Sequence, residues 1–402
     1  MIALIFVCSR FNKYSINALA GVCEKERLDE IVKIFFIKEK ELYILKELSQ
    51  NFKKLILCFS FSTLSKNRIF SIKEEIKKLI AKKIIFIAGG PHPTGLPQEV
   101  IENNFDIVVK GEAEKIFPKI VKTIASNKYL EKILSSKDYV NLDEYPPFSL
   151  RFRRLGPIEI TRGCPYGCYF CQTSWIFGKK IRHRSILKIA KYLEILRSRG
   201  ILDFRFISPN AFSYGSKTGK NVNLKALEEF LRVSKEVVGK DGRIYFGTFP
   251  SEVRPDFITS EVMEIISKYV YNRYLVVGAQ SGSDRILSLC RRGHTVSDIE
   301  KAAKILKKFN FSGVFDFLFG LPYEEEKDRC ESFKLINYLI SLGMKIRAHT
   351  FIPLPQTPFF LEKVTEIDLK TKEFLGKLAK EGKLTGSWSY QEKLRQSIKL
   401  NK

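Results

Sequence analysis

Three cysteines, Cys164, Cys168 and Cys171, stand at the spacing C-x3-C-x2-C in a chain of 402 residues. They lie in Ile158-Glu159-Ile160-Thr161-Arg162-Gly163-Cys164-Pro165-Tyr166-Gly167-Cys168-Tyr169-Phe170-Cys171, an extended run that passes into a turn-rich loop. Three thiolates on one tight loop can hold three irons of a four-iron, four-sulfur cluster. The fourth iron then lacks a protein ligand and is open to a substrate. A structural zinc knuckle is the other chemistry open to such thiols. Zinc closes with four ligands, commonly from paired C-x2-4-C or Cys/His groups. Here there is one C-x2-C pair, and the nearest further Cys or His is His183. Ordinary ferredoxin clusters use four cysteines at other spacings. The open-iron cluster is the expectation.

Such a loop needs a strand to place it and a sheet edge to face. Strand-like runs at Ile158 to Thr161, Asp203 to Ser208, Arg243 to Thr248, Arg273 to Gly278, Val314 to Phe319 and Ile346 to Ile352 alternate with helical patterns. Leu187 to Arg199, Leu224 to Val237 and Val296 to Lys308 are examples of the helical spacing. Six such units make a partial (βα)6 barrel over 156–360, with its active face at the strand carboxyl ends. The cysteine loop follows the first strand and belongs to that face.

Residues 1–125 alternate in the same way. Ala3 to Val7, Lys33 to Ile37, Leu55 to Phe59, Ile84 to Ala88 and Asp106 to Val109 are continuous apolar runs, suited to parallel strands covered on both faces. This is a doubly wound, Rossmann-like α/β domain, which takes ligands at its strand carboxyl ends. Residues 126–155 read as a linker, because Asp143-Glu144-Tyr145-Pro146-Pro147-Phe148 is turn chemistry. Arg151, Arg153 and Arg154 beyond it read as a solvated cluster. Residues 361–402 read as a short, lysine-rich helical extension, anchored by Trp388.

Lys+Arg 69 against Asp+Glu 44 gives a net charge of +25. The lysines are spread evenly, so a solvated surface accounts for them, and a nucleic-acid partner is possible but not favoured. Eight scattered cysteines make no disulfide framework and point to a reducing, cytoplasmic setting. The run Ile2 to Val7 is too short to span a membrane, and no membrane association is expected.

Taken together, these residues resemble the cobalamin-binding-domain radical S-adenosylmethionine (SAM) proteins. Their signature is C-x3-C-x-aromatic-C, with Phe170 in the aromatic place. The resemblance implies that SAM chelates the open iron, and that one electron from the [4Fe-4S] cluster releases a 5′-deoxyadenosyl radical. Val277-Gly278-Ala279-Gln280-Ser281-Gly282-Ser283-Asp284 is similar to the Gln-Ser-Gly-Ser stretch of these proteins and of tRNA methylthiotransferases. Arg292-Gly293-His294-Thr295 stands for their Arg-x-Tyr-Thr, with His294 departing from Tyr, and Asp316 to Pro322 for their Asp-x3-Gly-x-Pro. The resemblance spans about 1–355 and implies SAM contacts from Phe170, Asn210, Ser251, Glu252, Arg254, Gln280, Ser281 and Arg292. Arg254 or Arg292 would pair with the SAM carboxylate.

The amino-terminal loops carry the cobalamin half of the resemblance, through Gly89-Gly90-Pro91-His92 and Gly111-Glu112-Ala113-Glu114. Other cobalamin proteins have D-x-H-x2-G, then S-x-L, then a Gly-Gly pair. Ser62-Thr63-Leu64 matches S-x-L. Counting back places the first motif on Ile16 to Gly21, where Ile16 and Ala18 replace Asp and the cobalt-binding His. The resemblance implies cobalamin contacts from Ser60, Ser62, Thr63, Gly89, Gly90, Pro91, His92, Gly111 and Glu112. It also implies no histidine below cobalt, unless His92 supplies one.

The implied reaction is radical methyl transfer to an unactivated centre, with methylcobalamin as donor and a one-electron reductant of ferredoxin or flavodoxin type as partner. The alternatives are methylthio transfer to RNA, radical rearrangement or cyclisation, and a non-enzymatic cobalamin or redox sensor. The substrate is not legible. The methylthio reading needs a second cluster, for which Cys8, Cys23 and Cys58 are the candidates.

Overall fold

A computed structural model describes residues 1–80, 84–136 and 138–397. The chain forms two compact units, Met1–Pro157 with Leu354–Gln356, and Ile158–Pro353 with Thr357–Lys402.

The first unit is built on six strands: β1 (Ile2–Cys8), β2 (Lys33–Lys38), β3 (Lys54–Ser60), β4 (Ile84–Gly89), β5 (Ile107–Lys110) and β6 (Ile133–Ser135). All pair in parallel, in the order β2-β1-β3-β4-β5-β6. Alternation along each strand splits the apolar residues between two cores. Ala3, Ile5, Val7, Leu55 and Leu57 face one layer of helices. Leu4, Phe6, Ile56 and Cys58 face the other. The order turns back between β1 and β3, so successive crossovers leave a crevice at their carboxyl ends.

Residues 126–155, read as a linker, carry the sixth strand and pack within this unit. Glu24 Oε2 accepts from Ser149 Oγ at 2.6 Å and Leu150 N at 2.9 Å. A three-residue strand is too short to give a periodic signal. The motif expected at Ile16 to Gly21 also needs correction, because these residues lie inside the helix Lys13–Lys25. Ile16 and Asn17 are buried there. Gly21 has a packing reason instead: a Cβ would stand 2.7 Å from Phe148 O. The loop that leaves β1 at the carboxyl edge is Ser9–Asn12, tied by Asn12 Nδ2 to Val7 O and Ser60 O at 2.9 and 3.2 Å.

The second unit opens with β7 (Ile158–Glu159). A short antiparallel pair follows, β8 (Thr161–Arg162) with β9 (Arg182–His183). Then come β10 (Asp203–Ile207), β11 (Arg243–Tyr245), β12 (Tyr274–Gln280), β13 (Ser312–Phe319), β14 (Lys345–Thr350) and β15 (Leu384–Thr385). β7, β10 and β11 form one parallel sheet and β12 to β15 another. A parallel bridge between Val253 and Val277 joins the two into one open wall. Six of these strands are the expected barrel strands. The carboxyl-terminal extension, expected as helical only, adds the seventh strand, β15, between the helices Leu369–Lys380 and Trp388–Ser397. Trp388 anchors that end through its carbonyl, which accepts from Thr350 Oγ1 at 2.8 Å. Among the described residues no helix is long and apolar enough to cross a membrane.

Candidate cluster and cofactor sites

The β8–β9 pair forms the neck of the cysteine loop. Cys164 N donates to Gly178 O at 3.1 Å across that neck. Inside the loop, Ser174 Oγ donates to Cys164 O at 2.7 Å and accepts from Gly167 N at 3.1 Å. Gly163 has φ +86, and a Cβ there would stand 2.3 Å from Lys180 O, so the neck demands glycine. Cys168 is buried, while Cys164 and Cys171 are half-exposed. Tyr169 N donates to Cys290 O at 3.0 Å. Tyr169 and Phe170 pack on the apolar cluster of Ile286, Cys290, Leu321, Phe351 and Phe359. Phe170 therefore walls the loop from its apolar side.

His183, the nearest imidazole in sequence, is fully engaged. Its Nδ1 is 2.9 Å from Thr161 Oγ1 and its Nε2 is 2.9 Å from Ser216 O. A fourth zinc ligand is not available from it.

The ends of β10, β11 and β12 converge on the cysteine loop through contacts of side chain and backbone. Arg292 Nη1 stands 3.7 Å from Cys168 Sγ, and Nη2 donates to Gly278 O at 3.0 Å. Arg254 stacks over Tyr166 with its guanidinium carbon 3.5 Å from the ring centroid. It also donates to Arg292 O at 2.8 Å and pairs with Asp256 at 3.0 Å. Asn210 Oδ1 accepts from Arg254 N at 3.3 Å. His294 Nε2 lies 3.1 Å from Ala279 O. Burial, with Arg292 and Arg254 nearby, pushes the His294 imidazole down to about 2, so it is neutral.

The expected SAM contacts divide on this geometry. Asn210 and Arg292 keep donors at the convergence point, and the Gln280 amide lies with Arg292 against Gly278. Asn210 Nδ2, Thr248 Oγ1, Arg292 Nε and His294 Nδ1 are buried without a hydrogen-bond partner, which is where polar atoms of a ligand would be accommodated. Arg254 is committed to Asp256 and to Tyr166, so of the two arginines it is the less free to hold a carboxylate. Ser251 Oγ donates to Thr248 O at 3.1 Å, and Ser281 Oγ accepts from Ser283 N at 3.1 Å. Both hydroxyls serve local turns. Glu252, in the loop after β11, pairs with Arg347 of β14 at 2.6 Å, and Arg347 also grips Asp316 of β13, so these three form their own polar patch. Thr248 and Tyr166 have no role in the sequence reading, and His294 is noted there only as a departure from Tyr. Thr248 lies just beyond β11, Tyr166 within the cysteine loop and His294 after the helix Asp284–Leu289, so position beside the motifs is the signal that could have marked them.

In the first unit the expected cobalamin residues gather at the carboxyl edge of β3, β4 and β5. Ser60 Oγ lies 2.9 Å from Ser15 Oγ in an exposed position beside the β1/β3 crevice. Gly90 has φ +97, and a Cβ on it would meet Phe61 N and Ser60 Oγ at 2.9 Å. Gly111 N donates to Thr94 Oγ1 at 3.0 Å. An edge of hydroxyls and bare backbone beside a crevice suits a nucleotide tail rich in hydrogen-bonding groups. Two expected contacts are held elsewhere. Glu112 Oε2 accepts from Val140 N at 2.7 Å. His92 is fully enclosed, against Thr63 and Glu99. Cys23 and Cys58 are buried in the apolar core, with Cys8 packed against it.

Comparison with known proteins finds a family match in each unit. A family model for the Radical SAM superfamily matches residues 158–336, and one for a B12 binding domain matches residues 9–121. An uncharacterized methyltransferase of Pyrococcus horikoshii is 26% identical over 284 residues, covering 63% of this chain and 58% of its own length. A tRNA-2-methylthio-N(6)-dimethylallyladenosine synthase of Buchnera aphidicola subsp. Schizaphis graminum is 27% identical over 363 residues, 87% of this chain and 79% of the relative. Among solved structures, the radical SAM methyltransferase TsrM of Kitasatospora setae, seen with tryptophan substrate and a SAM analogue, superposes with a TM-score of 0.67 at 14% identity. It covers 90% of this chain and 75% of its own. The cobalamin-dependent SAM radical enzyme OxsB gives a TM-score of 0.64 at 17% identity, over 83% and 51%. At these identities the solved structures speak for the fold.

Proposed function

The chain belongs to the radical SAM superfamily and carries a B12-binding domain ahead of its barrel, and from that premise we propose that it is a cobalamin-dependent radical SAM methyltransferase. The observation that carries this reading is Arg292, held 3.7 Å from Cys168 Sγ within a loop of three thiols. A partly buried guanidinium beside sulfur is favourable when the sulfur is a metal-bound thiolate. Cys164, Cys168 and Cys171 would hold the [4Fe-4S] cluster, and Asn210, Thr248 and Gln280 would receive SAM. When bound, the cluster supplies the electron that cleaves SAM and cobalamin supplies the methyl carrier. The chain's own residues bind and shield. Arg292 offsets the negative charge at Cys168, Tyr169 and Phe170 keep water from the loop's apolar side, and the orphaned Asn210 and Thr248 atoms orient the ligand.

A substrate and a one-electron reductant must come from outside. We favour a reductant of ferredoxin or flavodoxin type and a reducing, cytoplasmic setting, which exposed cluster thiolates require. The solved methyltransferase of this fold acts on tryptophan, and a small metabolite is the substrate class we favour. Methylthio transfer to tRNA is the second reading, favoured by the Buchnera relative that spans 87% of this chain. Cys23 and Cys58 lie in the apolar core, where burial pushes their thiols up, whereas Cys168 has Arg292 beside it, and this opposes the second reading. Anaerobic protein given SAM and dithionite tests the proposal. It should hold about four irons and release 5′-deoxyadenosine, and Cys168→Ala should abolish both. About eight irons would favour methylthio transfer, and iron-free protein with no SAM turnover would end the proposal.

A further inference from the structure

His92 has no exposed surface, yet it stands directly behind the Gly89-Gly90 turn at the edge of the sheet. Its Nδ1 is 3.1 Å from Thr63 Oγ1, in the Ser62-Thr63-Leu64 turn that follows β3. Its Nε2 is 3.2 Å from Glu99 Oε2, close enough for a charge contact, though the angle is poor for a hydrogen bond. Glu99 in turn pairs with Lys66 at 2.5 Å, and Lys66 opens the helix Lys66–Leu79. The His92 backbone N donates to Phe61 O at 3.2 Å, and Phe61 N donates to Gly89 O at 3.1 Å. The imidazole ring packs 5.8 Å from Phe61 and 6.5 Å from Phe70, centroid to centroid. One ring thus touches the turn after β3, the turn after β4, and the helices behind both.

A cobalt ligand needs a free nitrogen lone pair aimed into the crevice. Here both ring nitrogens face protein groups, and the ring is sealed by phenylalanines. Freeing either nitrogen would open the Thr63 or Glu99 contact inside a low-dielectric pocket, at about 1–3 kcal/mol for each polar group stranded. We propose that His92 is a positioning residue. It fastens the Thr63 turn to the Gly90 turn, so that Ser60, Ser62 and the Gly89-Gly90 backbone stand ready, before binding, for the nucleotide tail of cobalamin. This rests on the cobalamin reading above. It goes beyond that reading by assigning the Thr63–His92–Glu99–Lys66 chain to the shape of the cradle. A cradle fixed in advance spares the ordering entropy that two loose turns would lose on binding.

The test titrates hydroxocobalamin into the full anaerobic protein, followed by visible absorbance, for the wild type, His92→Ala, His92→Gln and Thr63→Val. His92→Ala should bind at least about tenfold more weakly, equivalent to about 1.4 kcal/mol. Thr63→Val should weaken binding by about threefold to fivefold, or somewhat under 1 kcal/mol. His92→Gln, which keeps a donor and an acceptor, should recover part of the loss. Hydrogen exchange in the unliganded His92→Ala protein should quicken in residues 60–65 and 89–95 and stay unchanged in the barrel, which separates a loosened cradle from a failed fold. Electron paramagnetic resonance of the cobalt(II) form should show no protein nitrogen splitting in the wild type. Wild-type affinity in His92→Ala, with the wild type itself binding, overturns the positioning role and leaves the cobalamin reading intact. Nitrogen splitting that vanishes in His92→Ala overturns it in favour of a ligand. No binding by the wild type removes cobalamin and the positioning role together.

Discussion

In the first unit the charged groups nearest the carboxyl edge of the sheet are paired with one another. Glu99, beside His92 and Lys66, has its carboxyl pulled down to about 2. What remains for a ligand is hydroxyls and backbone. The barrel is finished differently. Asn210, Thr248, Arg292 and His294 each keep a buried polar atom without a partner. Its acids shift the other way: burial pushes Glu324 up to about 7 and Asp316 up to about 6. Both units are parallel β/α alternations, so the fold does not decide this. The first edge also has two buried polar atoms without a hydrogen bond, His92 Nε2 and Glu99 Oε2, but they face each other at 3.2 Å, while those of the barrel lie where a cofactor would complete them.

The largest effect that follows is at the thiols. Cys164→Ala, Cys168→Ala or Cys171→Ala should reduce iron from about four per chain to below about one, measured in anaerobically purified protein. Cys23→Ala should leave iron unchanged. Arg292→Met should come next, giving a cluster that forms but is lost several-fold faster to a chelator and has a shifted reduction potential. If Arg292→Met kept wild-type retention and potential, the guanidinium would be serving the Gly278 carbonyl alone.

The opposite shifts of Glu324 and Glu99 give these two sites opposite pH responses. Glu324 holds its proton in the fold up to about 7 and releases it near 4.5 when unfolded. Its contribution is therefore full below pH 4.5 and is lost as pH rises through about 7, a difference of about 3 kcal/mol. Glu324→Gln should remove that slope and raise barrel stability at pH 8 in urea melts followed by hydrogen exchange. Glu99 runs the other way. Its contribution is present above about 4.5 and is lost as pH falls toward about 2. Glu99→Gln should cost the first unit stability at neutral pH and progressively less as pH falls toward about 2. Glu324→Gln and Glu99→Gln changing the pH slope in the same direction would break the comparison. The smallest effect is at Ser15→Ala, an exposed hydroxyl pair partner, where stability should change by less than about 0.5 kcal/mol.

The cluster loop was legible because its chemistry sits in one short stretch. The six barrel strands and the five longer strands of the first sheet were legible as apolar runs. β6 and β15 were not, since two or three residues carry no period. The count back to Ile16 to Gly21 failed on a pattern that was visible: Ile16, Ala20 and Cys23 recur at helical spacing. Polar residues at strand ends were suspected as a class. Which of them stay open depends on partners that sequence alone does not rank. Ser251 turns to Thr248 O, Glu112 turns to Val140 N, and Arg254 is taken by Asp256, two residues on.

A parallel wall that does not close has two rims, and a rim of unpaired amides is a template for another chain. Here the rims of the barrel are β7 and β15, each two residues long. The first sheet ends on β6, of three residues, and on β2, which begins and ends with lysine. Among the described residues three of the four rims are short and the fourth, β2, is closed by lysine at both ends, which works against strand stacking into fibres. The two residues of β15, with the helix Trp388–Ser397 beyond them, are what cover β14. Without Leu384 to Ser397, the strand Lys345–Thr350 would offer a six-residue rim, and the same chain would acquire an adhesive edge.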